Sequence, residues 1–400
     1  MSVSAPVAAA GRDAGGGLSR TGLLFAGVGL VGLALPLVQF RANRIVLGEG
    51  VGLAGLLGIW GWLAMAALAA ALISALPARR PQMMRLVTGA GGALAVILLL
   101  GLMARVLIPE PGGAARAAPA SGFWLLLLAF ALMAADALSR LRPSLMLRWL
   151  FLAAVIAAGW LVLVSGWLDS VSVMREYAAR QDSFAREAAR HVALAFGSLG
   201  AALLVGLPAG IALYLSAPLR RPVLGVLNML QTIPSLALFG IMIPVFGWIA
   251  VNIPGAADMG ISGIGVFPAL VALFLYSLLP VVSNTLVGLR GVSPDARDAA
   301  TGLGMTRAQL LAGVLIPLAL PVIIAAVRIV LVQNIGLAVI AGLIGGGGFG
   351  TFVFQGLNQT AMDLVLLGAL PTIALALIAG IALDLLVEGL DHRDDKGAAS

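Results

Sequence analysis

Ten long apolar runs constrain this chain more than any other feature of it. They lie near 22–40, 51–76, 87–107, 122–139, 149–168, 191–215, 223–249, 264–289, 314–336 and 362–388. A helix needs about 20 apolar residues to cross the hydrocarbon core of a bilayer. Lipid offers no partner to an unpaired backbone group, so a spanning segment is a helix or a strand of a closed barrel. Barrel strands alternate apolar and polar residues, and these runs do not. The expectation is an all-α integral membrane protein of about ten transmembrane helices. Composition agrees: 61% of the 400 residues are hydrophobic and 10% are charged, against about 45–50% and about 25% in soluble domains.

The same composition closes off several functions. There is no cysteine, which excludes disulfides and thiolate metal sites. His191 and His392 are too far apart in sequence to make a metal cluster by themselves. The formal net charge of +7 raises nucleic acid as a partner. The arginines, however, sit mostly between apolar runs, as loop charges do in membrane proteins. Lipid, not nucleic acid, is the expected surrounding.

Arginine placement sets an orientation. Arg79, Arg80 and Arg85 follow the second run, Arg140, Arg142 and Arg148 the fourth, Arg220 and Arg221 the sixth, and Arg290, Arg297 and Arg307 the eighth. All of these fall on one side, with both termini, and the positive-inside rule makes that side cytoplasmic. A multi-pass protein of the bacterial cytoplasmic (inner) membrane is expected. The opposite loops carry Arg41, Arg44 and Arg116, and those after the seventh and ninth runs carry no basic residue. Residues 1–21 read as a flexible cytoplasmic tail and not a signal peptide, because the first run starts after Arg20 and is long enough to span. Residues 391–400 read as a second cytoplasmic tail.

Residues 169–190 depart from this pattern, with four arginines on the outer side. Glu176 with Arg180 and Asp182 with Arg186 have the favourable i,i+4 spacing. Val173, Tyr177, Phe184 and Ala188 form an apolar stripe. An amphipathic helix at the outer membrane surface is expected, serving as a packed spacer or as a docking site. It separates a five-helix region, 22–168, from a second region, 191–390. In the first, Asp136 is the clearest ionisable group. In the second, Gln231, Pro234, Ser235, Tyr276, Asn284, Arg328, Gln333 and Asn334 enter the runs. Such residues are costly in lipid and usually face a bundle interior or a cavity.

The most informative segment is 290–321, RGVSPDARDAATGLGMTRAQLLAGVLIPLALP. It encodes two short helices. Ser293 is a good N-cap and Pro294 suits the first helical position. Asp295 and Asp298 put negative charge early in the helix, where the dipole favours it. Gly304 can take the left-handed conformation that ends a helix. Thr306 and Gln309 have capping-box spacing, and Met305 with Leu310 that of a hydrophobic staple. Pro317 marks the start of the next span. Ala299, Ala300 and Gly302 offer a small-residue surface for close approach by another protein.

This segment resembles the EAA loop of importer permeases that work with a binding protein and an ATPase. That pattern is Glu-Ala-Ala, three residues, Gly, nine residues, then Ile-x-Leu-Pro. Here it reads Asp298-Ala299-Ala300, Gly304, then Val314-Leu315-Ile316-Pro317, with both spacings kept. Asp stands for Glu, Val for Ile and Ile for Leu. The stretches at 227–244, 272–306, 316–329 and 343–350 are similar to permeases for glycine betaine, carnitine and choline, within the MetI-like superfamily. The five extra N-terminal spans resemble the longer Yeh-type members.

The resemblance implies a type I ABC importer permease core in residues 191–390, with its coupling loop at 290–317. It implies that Asp298, Ala299, Ala300, Gly304, Thr306, Gln309 and Pro317 form the coupling loop that meets a cytoplasmic P-loop ATPase dimer. It also implies a second permease subunit and an extracytoplasmic solute-binding protein. Gln231, Pro234, Ser235, Tyr276, Asn284, Arg328 and Asn334 become candidates for a translocation pathway. The chain would bind no cofactor; ATP and magnesium would lie on the ATPase. Lys396 is the only lysine and no P-loop motif occurs, so the chain is not expected to be an enzyme.

Gly345, Gly347 and Gly350 match G-x-G-x-x-G, but no strand precedes them and no dinucleotide site is possible. Gly345, Gly346, Gly347, Gly348 and Gly350 read instead as a flexible turn and a candidate outer gate. Trp248, Phe267, Phe274 and Tyr276 read either as a cation–π lining or as packed core. Two alternatives stay open: the same machinery for another small solute such as methionine, and an ion-coupled secondary transporter. Against the latter, the deep ionisable residue is Arg328, while Asp363, Asp384 and Glu388 lie near span ends.

Overall fold

The computed structural model describes residues 17–43, 46–109 and 113–397, with side chains through residue 389. Residues 1–16 of the expected tail, Arg44, and the side chains of His392 and Lys396 lie outside the described residues. The chain divides into two compact units. One comprises the residues up to Leu147 with Ala153–Arg175, the other Arg148–Leu152 with Glu176 onward.

The first unit contains α1 (Arg20–Ala34), β1 (Val38–Arg41), β2 (Glu49–Val51), α2 (Leu53–Leu57), α3 (Ile59–Ile73), α4 (Gln82–Leu107), β3 (Arg116–Pro119), α5 (Ser121–Leu141) and most of α6 (Leu145–Val164). The strands form an antiparallel sheet in the order β2-β1-β3, with Val38 opposite both Val51 and Pro119. This small sheet sits in a chain that is otherwise helical, as the all-α expectation has it. The run 22–40 leaves the helix at Leu35, which is extended (φ −98°, ψ 158°) because Pro36 follows it. In the run 51–76 the helix is interrupted at Gly58, with φ +56°. Among the described residues eight helices are long and apolar enough to cross a membrane; α1 and α3, with 15 residues each, are shorter.

Helices α4 and α5 pack closely through small residues, as membrane helices do. A Cβ on Gly89 would lie 2.7 Å from the Ala134 nitrogen. Phe25, Leu72, Met103, Leu126 and Phe130 fill the core. Arg85, expected in a loop, is buried on α4 and donates to the Ala75 and Pro77 carbonyls, each at 2.8 Å. It thereby satisfies carbonyls of the loop that follows α3. Asp136 pairs with Arg140 at 3.0 Å.

The unit boundary falls within α7 (Ser172–Ala178). Beyond it come α8 (Gln181–Leu215), α9 (Ala217–Thr232), α10 (Ser235–Asn252), α11 (Val266–Gly291), α12 (Pro294–Gly302), α13 (Arg307–Leu310), α14 (Ile316–Leu337), α15 (Gly350–Asn358) and α16 (Met362–Gly397). The segment 169–190 is not one surface helix. Its second half is the first three turns of α8, whose 35 residues make a rod about 52 Å long. Good helix formers at 185–189 carry the helix straight into the apolar run. Glu176 and Arg180 pair at 2.5 Å across the α7–α8 corner, but Arg186 turns to Ser183 Oγ at 3.0 Å and not to Asp182. The run 223–249 is likewise two helices. Ile233 is extended (φ −67°, ψ 125°) because Pro234 follows it.

In the core of this unit α8, α11 and α14 pack together, and α16 lies on α14. Leu194, Phe239, Leu273 and Tyr276 belong to one buried cluster, and Ala195, Val281, Val330 and Ile335 to another.

Candidate functional site

The loop after α11 holds the shape its sequence encodes. Ser293 Oγ accepts from the Ala296 nitrogen at 3.3 Å and starts α12. Gly304, at φ +80°, ends the turn, its N–H donating to Thr301 O at 3.0 Å. The capping box forms: the Thr306 nitrogen donates to Gln309 Oε1 at 2.8 Å and the Gln309 nitrogen to Thr306 Oγ at 3.4 Å. Asp298, Ala299, Gly302 and residues 303–309 are exposed, whereas Ala300 is buried, so the small-residue surface is narrower than expected. Leu303, a position not singled out from the sequence, is 80% exposed at the tip.

Below the tip the loop is fixed to the bundle. Val292 and Leu315 are buried with Leu289 and Ala319, and Ala296 and Leu310 pack against them. Arg297 carries much of the fixation. Its guanidinium donates to the carbonyls of Leu289 (3.1 Å) and Arg290 (2.8 Å) at the end of α11 and lies 5.9 Å over the Tyr214 ring of α8. Basic groups are favoured at a helix C-terminus, which was the available signal for this residue. Pro317 lies in the first turn of α14, where a proline is tolerated. The helical path is continuous from Arg307 to Leu337, and Leu311–Leu315 form a π turn. A wider turn there makes room for a proline ring that would press on the carbonyl four residues back.

The polar residues of the spans fall into three groups. Asn334 is fully buried, and its Nδ2 donates at 2.9 Å to Ser198 Oγ of α8 and to Ser277 Oγ of α11. That burial removes it from any pathway surface within this subunit and makes it a brace among three helices. Both serines also donate to carbonyls of their own helices at 2.7 Å. Replacing Asn334 by Leu is therefore expected to cost only about 1 kcal/mol, the usual worth of such a bond in a membrane bundle. Asn334→Asp, which buries a carboxylate with only serine hydroxyls to face it, should lower the melting temperature in detergent far more. Equal melting of the two variants would refute the brace.

At the second group Gln231, Pro234, Ser235 and Tyr276 do come together. Gln231 Nε2 donates to Tyr276 O at 2.8 Å, and the Tyr276 hydroxyl donates to Ile233 O. Pro234 is exposed and Ser235 half-buried. Asn284 bonds within its own helix, to Pro280 O at 2.8 Å. In the third group Arg328 forms an ion pair with Asp384 of α16, not a set of backbone bonds. The aromatic residues make no cage. Trp248 is 62% exposed, Phe267 packs edge-on against Phe246, and Phe274 and Tyr276 belong to different clusters.

The glycine run is not a loose turn: Gly346 to Gly350 are buried. Gly347 and Gly348 have φ of +78° and +80°. A Cβ on Gly347 would lie 2.7 Å from Glu187 Oε2. Glu187 accepts from the Gly348 nitrogen at 2.6 Å, and His191 Nδ1 from the Phe349 nitrogen at 3.4 Å. Phe184 packs on Phe349 and Phe352. These three α8 residues fix the turn and were not among the expected site residues. The signal for them was the charged 181–190 stretch, which reads as a separate helix on composition alone.

Comparison with known proteins places each half. Residues 19–174 match the family model for the N-terminal domain of the ABC transporter permease YehY. Residues 202–393 match the family of binding-protein-dependent transport system inner membrane components. The chain is 42% identical to the osmoprotectant import permease protein OsmW of Salmonella typhimurium, over 47% of this chain and 83% of that one. It is 38% identical to the carnitine transport permease protein OpuCB of Listeria monocytogenes, over 48% and 82%. A solved structure of the MetNI methionine ABC transporter, inward facing, aligns at 26% identity and a TM-score of 0.46, over 52% and 97%.

Proposed function

This chain belongs to the binding-protein-dependent inner membrane components of ABC importers, and we infer from that premise that it carries a quaternary-amine osmoprotectant such as glycine betaine into the cell. Import permeases similar to it are described as serving osmoprotectants, carnitine and choline. The observation that carries the mechanism is the doubly capped, exposed hairpin at 293–310, anchored on α8 and α11 by Arg297. A cytoplasmic ATPase dimer seats on this hairpin, binding ATP and magnesium itself. Because Arg297 and the Val292–Leu315 cluster make the hairpin rigid with α11 and α14, displacement of the hairpin moves those helices. A second permease subunit completes the pathway, and an extracytoplasmic binding protein delivers the solute to the opposite face.

On this reading the ends bearing Arg220, Arg221, Arg290 and Arg307 are cytoplasmic, as is the end of α16. The Gly345–Gly350 turn and the start of α8 lie on the outer side. Leu303 supplies an apolar knob to the ATPase groove. The test is ATP-driven uptake of labelled glycine betaine into proteoliposomes holding the permease, its ATPase and its binding protein, with carnitine, choline and methionine as competitors. Leu303→Asp should reduce co-purification of the ATPase at least about tenfold, equivalent to 1.4 kcal/mol. Uptake driven by an ion gradient without ATP would overturn the assignment, and competition by methionine alone would overturn the solute.

A further inference from the structure

A helix break and a proline inside a continuous helix share one set of bonds in the second unit. Pro280 lies inside α11. A proline there has no N–H to give to the carbonyl four residues back, and its ring presses on that carbonyl. The carbonyl is that of Tyr276, and it accepts from Gln231 Nε2 of α9 at 2.8 Å. The break is at Ile233–Pro234, where the extended Ile233 leaves its own carbonyl outside both α9 and α10. That carbonyl accepts from the Tyr276 hydroxyl of α11. Each side therefore supplies the donor for the carbonyl that the other side's proline frees. In lipid such a carbonyl has no water to fall back on. Tyr276 is 7% exposed and Gln231 half-buried, so neither group trades its partner for bulk water.

We propose that Gln231 and Tyr276 form a reciprocal latch that couples the Pro234 break to the Pro280 site of α11 as one hinge. With the latch closed, the α9–α10 corner and the upper half of α11 move together. Parting them exposes two orphan carbonyls at once, so the hinge opens in one step. Gln231 and Tyr276 are then positioning residues that hold the α9–α10 corner to α11, and neither needs to touch solute. Their consequence for transport rests on the permease reading above. The movement of the corner does not.

The chain has no cysteine, so Leu236→Cys, at a position 59% exposed near the start of α10, gives the full-length protein in nanodiscs a single spin label. Tyr276→Phe removes only the hydroxyl, and Gln231→Met keeps the side chain's length without its donor. Each should raise label mobility, and the double variant should raise it no further than the larger single effect. Thr285→Val, which removes a hydroxyl bonded within α11, should leave it unchanged. In proteoliposomes, uptake per ATP hydrolysed should fall about threefold in each single variant, the worth of one average membrane hydrogen bond, with melting temperature held. Unchanged mobility in both single variants, or additive changes in the double, would overturn the latch. If Gln231→Met does not fold, Tyr276→Phe decides alone. A wild-type complex without ATP-linked uptake would overturn the transport reading and leave the label result as the measure of the latch.

Discussion

Gly304→Pro should abolish ATP-driven uptake while the protein remains inserted in the membrane. Gly304 sits at φ +80° between α12 and α13, and proline is held near −65°. Its N–H also donates to Thr301 O at 3.0 Å, a bond proline cannot make. No atom lies within 4 Å of a Cβ built at this glycine, so crowding is not the cause; the backbone itself must refold. A cost of about 3 kcal/mol exceeds what a short exposed hairpin recovers from its caps, and the geometry presented to the ATPase is lost. Uptake should drop by roughly a hundredfold or more, as 3 kcal/mol implies. Gly304→Ala, which can occupy the left-handed region at about 1–2 kcal/mol, should retain partial uptake. Asp298→Lys should leave the hairpin folded, because the side chain is exposed, and weaken ATPase association alone. Normal uptake by Gly304→Pro in a complex shown to contain the ATPase would remove the hairpin from the coupling path.

The hairpin was legible because its rules are local. Ser293, Gly304, Thr306 and Gln309 each act within four residues, and capping chemistry reads directly from a string. The membrane character was legible for a similar reason, since apolar length alone decides it. Failures came where a distant partner decides. Ala300 is buried although Ala299 and Thr301 on either side of it are exposed. Asn334 looks like a pathway residue until Ser198 and Ser277 arrive from other helices. The glycine turn looks loose until Glu187 and His191 close on it. Periodicity also hides a break without a breaker. No glycine or proline separates α7 from α8, so 169–190 read as one element. A proline inside an apolar run failed in the other direction. Pro234 reads as one of the polar and helix-breaking residues within a single span, although the residue before a proline is the place to expect a corner.

Arg328 tests whether a charge in a span braces the bundle or meets the solute, and its partner changes the expected result. A brace made of backbone bonds would tolerate Arg328→Gln, since an amide still donates. The ion pair with Asp384 reverses that expectation, because Gln leaves the carboxylate of α16 without a cation. An uncompensated charge in a span costs up to about 2.5–3.5 kcal/mol, and the pair's side chains are 38% and 56% exposed, which puts the cost at the lower end. Arg328→Gln and Asp384→Asn should each lower the yield of folded protein and its melting temperature. The double variant Arg328→Gln with Asp384→Asn removes both charges and keeps two groups able to hydrogen bond. It should return melting close to wild type, because the cost lay in the orphaned charge and not in the pair itself. Uptake then separates the two roles. A brace predicts that uptake of glycine betaine recovers together with melting. A charge that faces the solute predicts that melting recovers while the ratio of uptake between a betaine and a neutral analogue shifts. Asp384 packs on the α16 side of α14, away from the Asn334 side that faces α8 and α11, so the expected outcome is joint recovery.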